Sequence, residues 1–356
     1  MKDRLVRACR RQATDKTPIW LMRQAGRYLP EYRSLRSRYS LKELWSEPEL
    51  ACQVTLFPLK RFEVDGLIVF ADLMTPLEEI GVALEIRDGV GPVVENPIRT
   101  PAQVAAFPHC SESGLGSRVA QTIKMVKAQA PDIPVIGFAG APFTIAAYLI
   151  EGGPSRDFSL TRSFLYSDPS SAHCLMEKLT DLVLNYLADQ VKEGGADLVQ
   201  VFDSWVGVLS PDDYTEFVLP YTKRLLEQVA SWGVPVIHFG TGTASLLKLM
   251  KEAGGDVIGV DWRVDIGWAW DQIGHDRGIQ GNLDPAALLG PEDTLKEKVL
   301  TILKRTEKRA GHIFNLGHGV LPQTNPDQVA FLVDLVHELT ENPVCYQEVW
   351  KGGQGE

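Results

Sequence analysis

"VPVIHFGTGTASLLKLMKEAGGDVIGVDW", residues 234–262, decides the fold. It opens with an apolar run at 234–239 that shows no strict alternation, as expected of a strand covered on both faces. A glycine-rich turn at 240–242 ends the run. "ASLLKLMKEAGG" (244–255) then repeats its apolar residues at helical spacing and stops on Gly254-Gly255. A second apolar run at 257–260 closes on Asp261. Strand, helix and strand in this order form one βαβ unit of a parallel sheet.

Working outward, the same short run ending in a polar or glycine-rich turn recurs. Eight copies are present: "PIWLMRQ" (18–24), "GLIVFAD" (66–72), "IPVIGFAG" (133–140), "ADLVQVFDS" (196–204), "VPVIHFGTG" (234–242), "DVIGVDW" (256–262), "GIQGNLDP" (278–285) and "HIFNLGHG" (312–319). Amphipathic segments lie between them, among them "SSAHCLMEKLTDLVLNYLADQVKEGG" (170–195) and "YTKRLLEQVASWG" (221–233), and "NPDQVAFLVDLVHELTE" (325–341) follows the last run. The reading is an α/β fold, a distorted (β/α)8 TIM barrel formed by residues 1–356 as one domain. The long stretches after the second and third runs are insertions. "ALEIRDGVGPVVENPIRT" (83–100) reads as a hairpin turning at Asp88-Gly89. A doubly wound open sheet is the alternative, but it calls for a GxGxxG turn after an early strand, and none is present. "GTGTAS" (240–245) reads as a capped strand-to-helix turn, with a phosphate cradle as its alternative.

The 356 residues are 44% hydrophobic and carry a formal net charge of -10. That balance argues against nucleic acid as the main partner, because phosphate neutralisation needs a basic face. The five cysteines, Cys9, Cys52, Cys110, Cys174 and Cys345, are dispersed and odd in number. They suit reduced thiols and a cytoplasmic location better than a disulfide framework. "MKDRLVRACRRQ" has no apolar segment behind it, and no run is long enough to span a bilayer, so no membrane association is expected.

Barrel chemistry sits at the carboxyl ends of the strands. That rule nominates Arg23, Arg27, Asp72, Asp203, Ser204, His238, Asp261, Asp284 and His318, with Tyr148 on the segment after the third run. Each has a plainer alternative. A strand-end Asp often caps the next helix, His238 inside an apolar run suits a structural histidine, and Tyr148 could be core. Ser204 lacks the G-x-S-x-G elbow of a hydrolase. No HxH pair opens the first run and no Cys accompanies His238, so no bound metal is expected. The arginines stand out. Arg23, Arg27, Arg33, Arg36 and Arg38 face only Glu31 among acids in that stretch. Guanidinium forks match carboxylates or phosphates, so this concentration in an acidic chain points to a polyanionic small molecule. Surface ion pairs with acids elsewhere are the alternative.

"PIWLMRQAGRYLPEYR" (18–33) and "GFAGAPFTIAAYLIEGG" (137–153) resemble the two signature segments of the uroporphyrinogen decarboxylase family. "FADLMTPLE" (70–78), "QVFDSWVG" (200–207), "VIGVDW" (257–262), "IQGNLDP" (279–285) and "NLGHGVLP" (315–322) are similar to further family blocks, in family order. The match runs from about residue 3 to about residue 340. The resemblance implies a homodimeric barrel without metal or organic cofactor. It implies removal of all four acetate carboxyls of uroporphyrinogen III as CO2, giving coproporphyrinogen III for haem or chlorophyll synthesis. By motif position, Arg23, Arg27 and Arg36 would be cleft arginines, Asp72 the central acid, and Tyr148, Ser204 and His318 substrate-facing residues. Asp72, Arg23 and Tyr148 would carry catalysis, with Arg23 as the hypothesised acid. Ala71 stands where many relatives have Ser. Two readings compete. One is a zinc-dependent corrinoid or thiol methyltransferase of the related barrel group, which uses a His-x-Cys motif. The other is a non-catalytic tetrapyrrole-binding protein.

Overall fold

The Val- and Ile-rich runs become short parallel strands wherever both faces can be covered. In a computed structural model describing residues 3–87, 91–109 and 114–341, the strands in chain order are β1 (Leu67–Ile68), β2 (Leu84–Arg87), β3 (Gly91–Val94), β4 (Val135–Gly140), β5 (Leu198–Asp203), β6 (Val236–Gly240), β7 (Val257–Gly259), β8 (Gly278–Gln280) and β9 (His312–Ile313). β2 and β3 pair with each other, antiparallel, and the other seven form one parallel sheet in the order β1-β4-β5-β6-β7-β8-β9. Each strand of that sheet pairs with the next in sequence, as in Val199 with Val236 and Ile279 with His312. Every residue of β4 and β6 is buried, which accounts for apolar residues on both faces of these strands.

The first expected strand is corrected. Residues 18–24 do not extend; only Ile19 pairs, with Phe314, as an isolated bridge. The segment still closes the barrel. Phe314 N–H donates to the Pro18 carbonyl (2.8 Å) on one side, and Asp65 N–H donates to the Ile19 carbonyl (2.8 Å) on the other. The chain cannot continue as a strand because it turns at Leu21–Gln24, where Gln24 N–H donates to the Leu21 carbonyl at 2.9 Å. A buried carboxylate pins this seam from below. Asp65 accepts from Ile19 N–H (2.8 Å), pairs with His337 Nε2 (2.8 Å), and is bridged by Arg4. The first helix, the seam and the last helix, Pro326–Glu341, therefore meet at one side chain.

The helix Arg4–Cys9 plugs the amino-terminal end of the barrel. Its Leu5, Ala8 and Cys9 join Trp20, Ile136, Leu198, Ile237 and Ile313 in one buried cluster. Above it, Trp20 Nε1 donates to Gln280 Oε1 and Gln280 Nε2 to Gln200 Oε1, both at 2.9 Å. The carboxyl end of the sheet stays available for a site.

The insertion after β1 carries the expected hairpin as β2 and β3, while its Asp88-Gly89 turn lies outside the described residues. Val94 N–H donates to the Gly152 carbonyl (2.8 Å), which docks the hairpin on the end of the helix Pro142–Glu151. The expected helix over 170–195 runs as Pro169–Ala188 and finishes in one π-helical turn, Asp189–Glu193. That over 244–255 begins as a 3-10 turn and becomes Leu247–Ala253.

Candidate active site

The arginine stretch is shaped by its one buried polar residue. Gln24 is fully buried: Oε1 accepts from Leu21 N–H (3.0 Å) and Nε2 donates to the Gly66 carbonyl (3.0 Å). Tyr28 Oη donates to the Gln24 carbonyl at 2.7 Å. Asn315 Oδ1 accepts from Met22 N–H (3.1 Å), and the Met22 carbonyl accepts from Val320 N–H (2.9 Å). With Gln24 and Tyr28 held inward, Arg23 and Arg27 are left exposed. Arg23 adopts φ 62°, a left-handed conformation that a non-glycine residue holds only under constraint.

Arg23 reaches solvent yet lies among enough protein to feel desolvation. Burial, then the neighbouring charge of Arg27, pull its guanidinium below the ordinary value, while Tyr148 and Asp72 act the other way. Asp72 follows β1 and is half-buried. Its Oδ1 accepts from Met74 N–H (2.9 Å), and its own N–H donates to Thr75 Oγ1 (3.2 Å) at the start of the helix Thr75–Glu79. Among the described residues Oδ2 has no hydrogen-bond partner. Burial raises the Asp72 carboxyl above its usual range, with Glu78 adding to the rise and Met74 N–H and Arg23 opposing it. Tyr148 is buried on the helix Pro142–Glu151. Burial and then Asp72 push its phenol up to about 12, while Trp205 and Arg23 pull downward. The Trp205 ring stands edge-on to Tyr148, centroids 5.9 Å apart.

His318, after β9, completes this group. Arg23 crosses the residue beside it, Gly319, so closely that a Cβ there would stand 2.3 Å from Arg23 Cδ. Burial, then Arg23 and Arg263, bring the His318 imidazole down to about 4, against Asp261. It is therefore neutral near pH 7. Its ring faces Trp262 edge-on, centroids 6.4 Å apart at 88°. Asp72, Arg23, Arg27, Tyr148 and His318, which come from four separate stretches of chain, are thus brought into one electrostatic neighbourhood.

The remaining candidates separate. Ser204 follows β5 next to Trp205, and its carbonyl accepts from Thr241 Oγ1 at 2.6 Å. Arg36 ends the helix Pro30–Arg36 and donates to the Tyr39 carbonyl (3.0 Å); Arg33 is spent on the Tyr28 carbonyl (2.7 Å) and Arg38 lies over the Tyr39 ring. Asp203 and His238 are fully buried and face each other, Oδ2 to Nε2 at 3.4 Å. Asp284 caps the turn Pro285–Leu289, accepting from Ala286 N–H at 2.9 Å. Asp261 holds a loop, accepting from Gly242 N–H at 2.8 Å and pairing with Arg263. The plain alternative thus describes Asp261 and Asp284. Sequence reasoning missed Trp205, Gly319 and Arg263. All three carried a signal, since Trp205 and Arg263 each directly follow a run singled out at a strand end and Gly319 closes another.

The site sets the Arg23 guanidinium, with Arg27 beside it, near Asp72, a carboxylate of raised proton affinity. It can bind a polyanion and stabilise positive charge developing beside Asp72. Among the described residues no three His, Cys, Asp or Glu side chains converge to hold a metal ion, and no helix is long and apolar enough to cross a membrane.

The family model described as uroporphyrinogen decarboxylase (URO-D) matches residues 1–339. A uroporphyrinogen decarboxylase of Chloroflexus aurantiacus is 48% identical over 340 residues, 94% of this chain and 96% of its own length. One of Thermus thermophilus is 48% identical over 339 residues, 95% of this chain and 98% of its own. Among solved structures, a methyltransferase from Methanosarcina mazei superposes with a TM-score of 0.80 over 95% of this chain and 98% of its own. Its 19% identity makes that a likeness of fold alone.

Proposed function

The chain belongs to the uroporphyrinogen decarboxylase family, and from that premise we propose that its cleft removes the four acetate carboxyls of uroporphyrinogen III, giving coproporphyrinogen III and four CO2 in tetrapyrrole biosynthesis. The observation that carries this reading is Asp72, a carboxylate with one oxygen held by Met74 N–H and the other without a hydrogen bond among the described residues, near enough to Arg23 and Tyr148 to act on both electrostatically.

The porphyrinogen is a flexible macrocycle whose four pyrrole N–H groups can converge on one acceptor. Asp72 accepts them, and its negative charge stabilises the ring as it becomes electron-deficient. In each cycle a ring carbon takes a proton, and the bond to the acetate carboxyl breaks. Its electron pair moves into the ring and CO2 leaves. The exocyclic methylene then takes a proton to become methyl, and the ring carbon returns the one it received. The sum is one proton consumed and one CO2 released per acetate. Arg23 is the proposed donor. A guanidinium is ordinarily too weak an acid, and its depression by burial and Arg27 supports the assignment. Tyr148 supports Asp72 or the substrate, and Arg27, Arg36, Ser204 and His318 contact the periphery.

We further propose one barrel domain over residues 1–356, a homodimer, a cytoplasmic location supported by the free thiols of Cys9, Cys52 and Cys174, and a reaction without metal or organic cofactor. The methyltransferase alternative needs a thiolate two residues after His238, where Gly240 stands. Anaerobic incubation of the purified protein with uroporphyrinogen III, followed by oxidation and chromatography, tests the reading. Products with seven, six, five and four carboxyls, formed without added metal, are expected. An untouched eight-carboxyl peak with stoichiometric zinc in the protein would favour the methyltransferase. Binding without turnover would favour the non-catalytic carrier.

A further inference from the structure

Eight substrate carboxylates exceed what Arg23 and Arg27 can hold, and a further guanidinium stands beside the site. Arg263 follows β7 at the mouth end of the barrel. Its Cζ lies 4.2 Å from the centroid of the Trp262 ring, and that same ring meets His318 edge-on. Arg23 passes close over Gly319, the residue that follows His318. Arg263 is set in place from behind. Asp261, with only 2% of its side chain exposed, accepts from Arg263 Nη1 and from Arg263 N–H (3.1 Å), and its Oδ2 also accepts from Gly242 N–H (2.8 Å). Asn282 Nδ2 binds the carbonyls of Asp261 (2.8 Å) and Val264 (2.7 Å), fixing the turn that presents Trp262 and Arg263.

What faces outward is unused. The Arg263 side chain is 56% exposed, and among the described residues its Nε and Nη2 make no hydrogen bond. A stacked, back-bonded guanidinium with free outward donors is preorganised for a carboxylate. It loses less freedom on binding than an unconstrained surface arginine does. An ordinary surface ion pair would instead leave both partners exposed, and here the acid is buried and committed to the loop.

We infer that Arg263, held by Asp261 and Trp262, anchors a peripheral carboxylate of the tetrapyrrole next to His318 and so sets affinity for the more highly carboxylated substrates. This deepens the decarboxylase reading and rests on it for the substrate. The role is binding rather than chemistry, so its loss affects affinity more than turnover.

The test compares the wild type with Arg263→Gln, Arg263→Lys and, as a control, Arg305→Gln, which breaks a surface pair with Asp265 in the same region. Two quantities are read: fluorescence-detected binding of uroporphyrin III, an oxidised octacarboxylate that needs no turnover, and KM for uroporphyrinogen III. Arg263→Gln is expected to weaken both about tenfold with kcat within about twofold, the low end for a charge-assisted bond because the group is exposed. Arg263→Lys falls between, keeping the charge and losing the fork, and Arg305→Gln matches the wild type. Binding and KM within about twofold of wild type in Arg263→Gln would overturn the inference. So would a loss confined to kcat. If the wild type binds uroporphyrin but does not turn over uroporphyrinogen, the reaction reading fails, while the binding ratio still decides the role of Arg263.

Discussion

Replacing Gly319 by alanine adds one methyl beneath the Arg23 side chain. That methyl would stand 2.3 Å from Cδ, 2.6 Å from Cγ and 3.0 Å from Nε of Arg23. Ordinary carbon contacts begin at about 3.5 Å, so the aliphatic stem of Arg23 must retreat by about 1 Å or take another path. Because the nearest obstacles are side-chain atoms, the barrel can keep its backbone and the cost falls on where the guanidinium points. A displacement of about 1 Å in a group that positions or protonates substrate lowers turnover by about 10²-fold, equivalent to about 2.7 kcal/mol of barrier. Gly319→Ala should therefore be a folded protein with an unchanged Tm and a kcat about a hundredfold lower in the anaerobic porphyrinogen assay. A Gly319→Ala enzyme with wild-type kcat would refute the reasoning, because it would mean that the path of Arg23 over Gly319 does not set catalysis.

Gly317→Ala makes a contrast two residues away. Its Cβ would meet backbone, 2.3 Å from Trp262 N and 2.9 Å from Asp261 C, so a lowered Tm is expected, and equal stability would contradict it. Asp72 has a native carboxyl pKa raised by burial. The native state then favours the protonated form, and stability declines as pH rises from the usual carboxylate range through the raised value. Asp72→Asn should consequently be at least as stable as wild type near pH 7 in urea titrations, and a marked loss of stability would reverse the sign of that argument. His318 titrates near 4 in the free protein, so the profile of kcat/KM should show no limb near pH 6.5 that His318→Asn removes. Lys178, only 2% exposed, donates to the carbonyls of Val104 (2.9 Å), Ala105 (3.2 Å) and Phe107 (2.6 Å). Lys178→Met should cost about 3 kcal/mol by leaving buried carbonyls without a donor, and an unmoved urea midpoint would contradict this.

The strands legible in the sequence were those whose burial is two-sided. β4, β5 and β6 are rich in Val, Ile and Phe without strict alternation because helices cover one face and barrel side chains the other. The seam at 18–24 was misread as a full strand for the same reason. Ile19, Trp20, Leu21 and Met22 are all buried, but Gln24 turns the chain inward with side-chain bonds that no apolar period reports. Within the site, the arginine cluster and the strand-end carboxylates were visible as residue types. Which carboxylate is left uncommitted was not, since Asp72, Asp261 and Asp284 all follow strands. The three-dimensional arrangement separates them: Asp261 is consumed by the Gly242 loop and Asp284 by a cap, whereas among the described residues one Asp72 oxygen makes no hydrogen bond. Family resemblance chose Asp72 where spacing could not. Arg263 escaped notice because its value comes from stacking on Trp262, a relation between adjacent residues that depends on the shape of the turn.

The central claim is that the Asp72 carboxylate stabilises the charge that builds up during decarboxylation, while Arg23 donates the proton and the other arginines bind. It is tested most directly by single-turnover reaction of uroporphyrinogen III with wild type and Asp72→Asn, both first shown to be folded. The account predicts the descending seven- to four-carboxyl series from wild type and an unreacted eight-carboxyl peak from Asp72→Asn over the same interval. An Asp72→Asn protein that decarboxylates at the wild-type rate would contradict it.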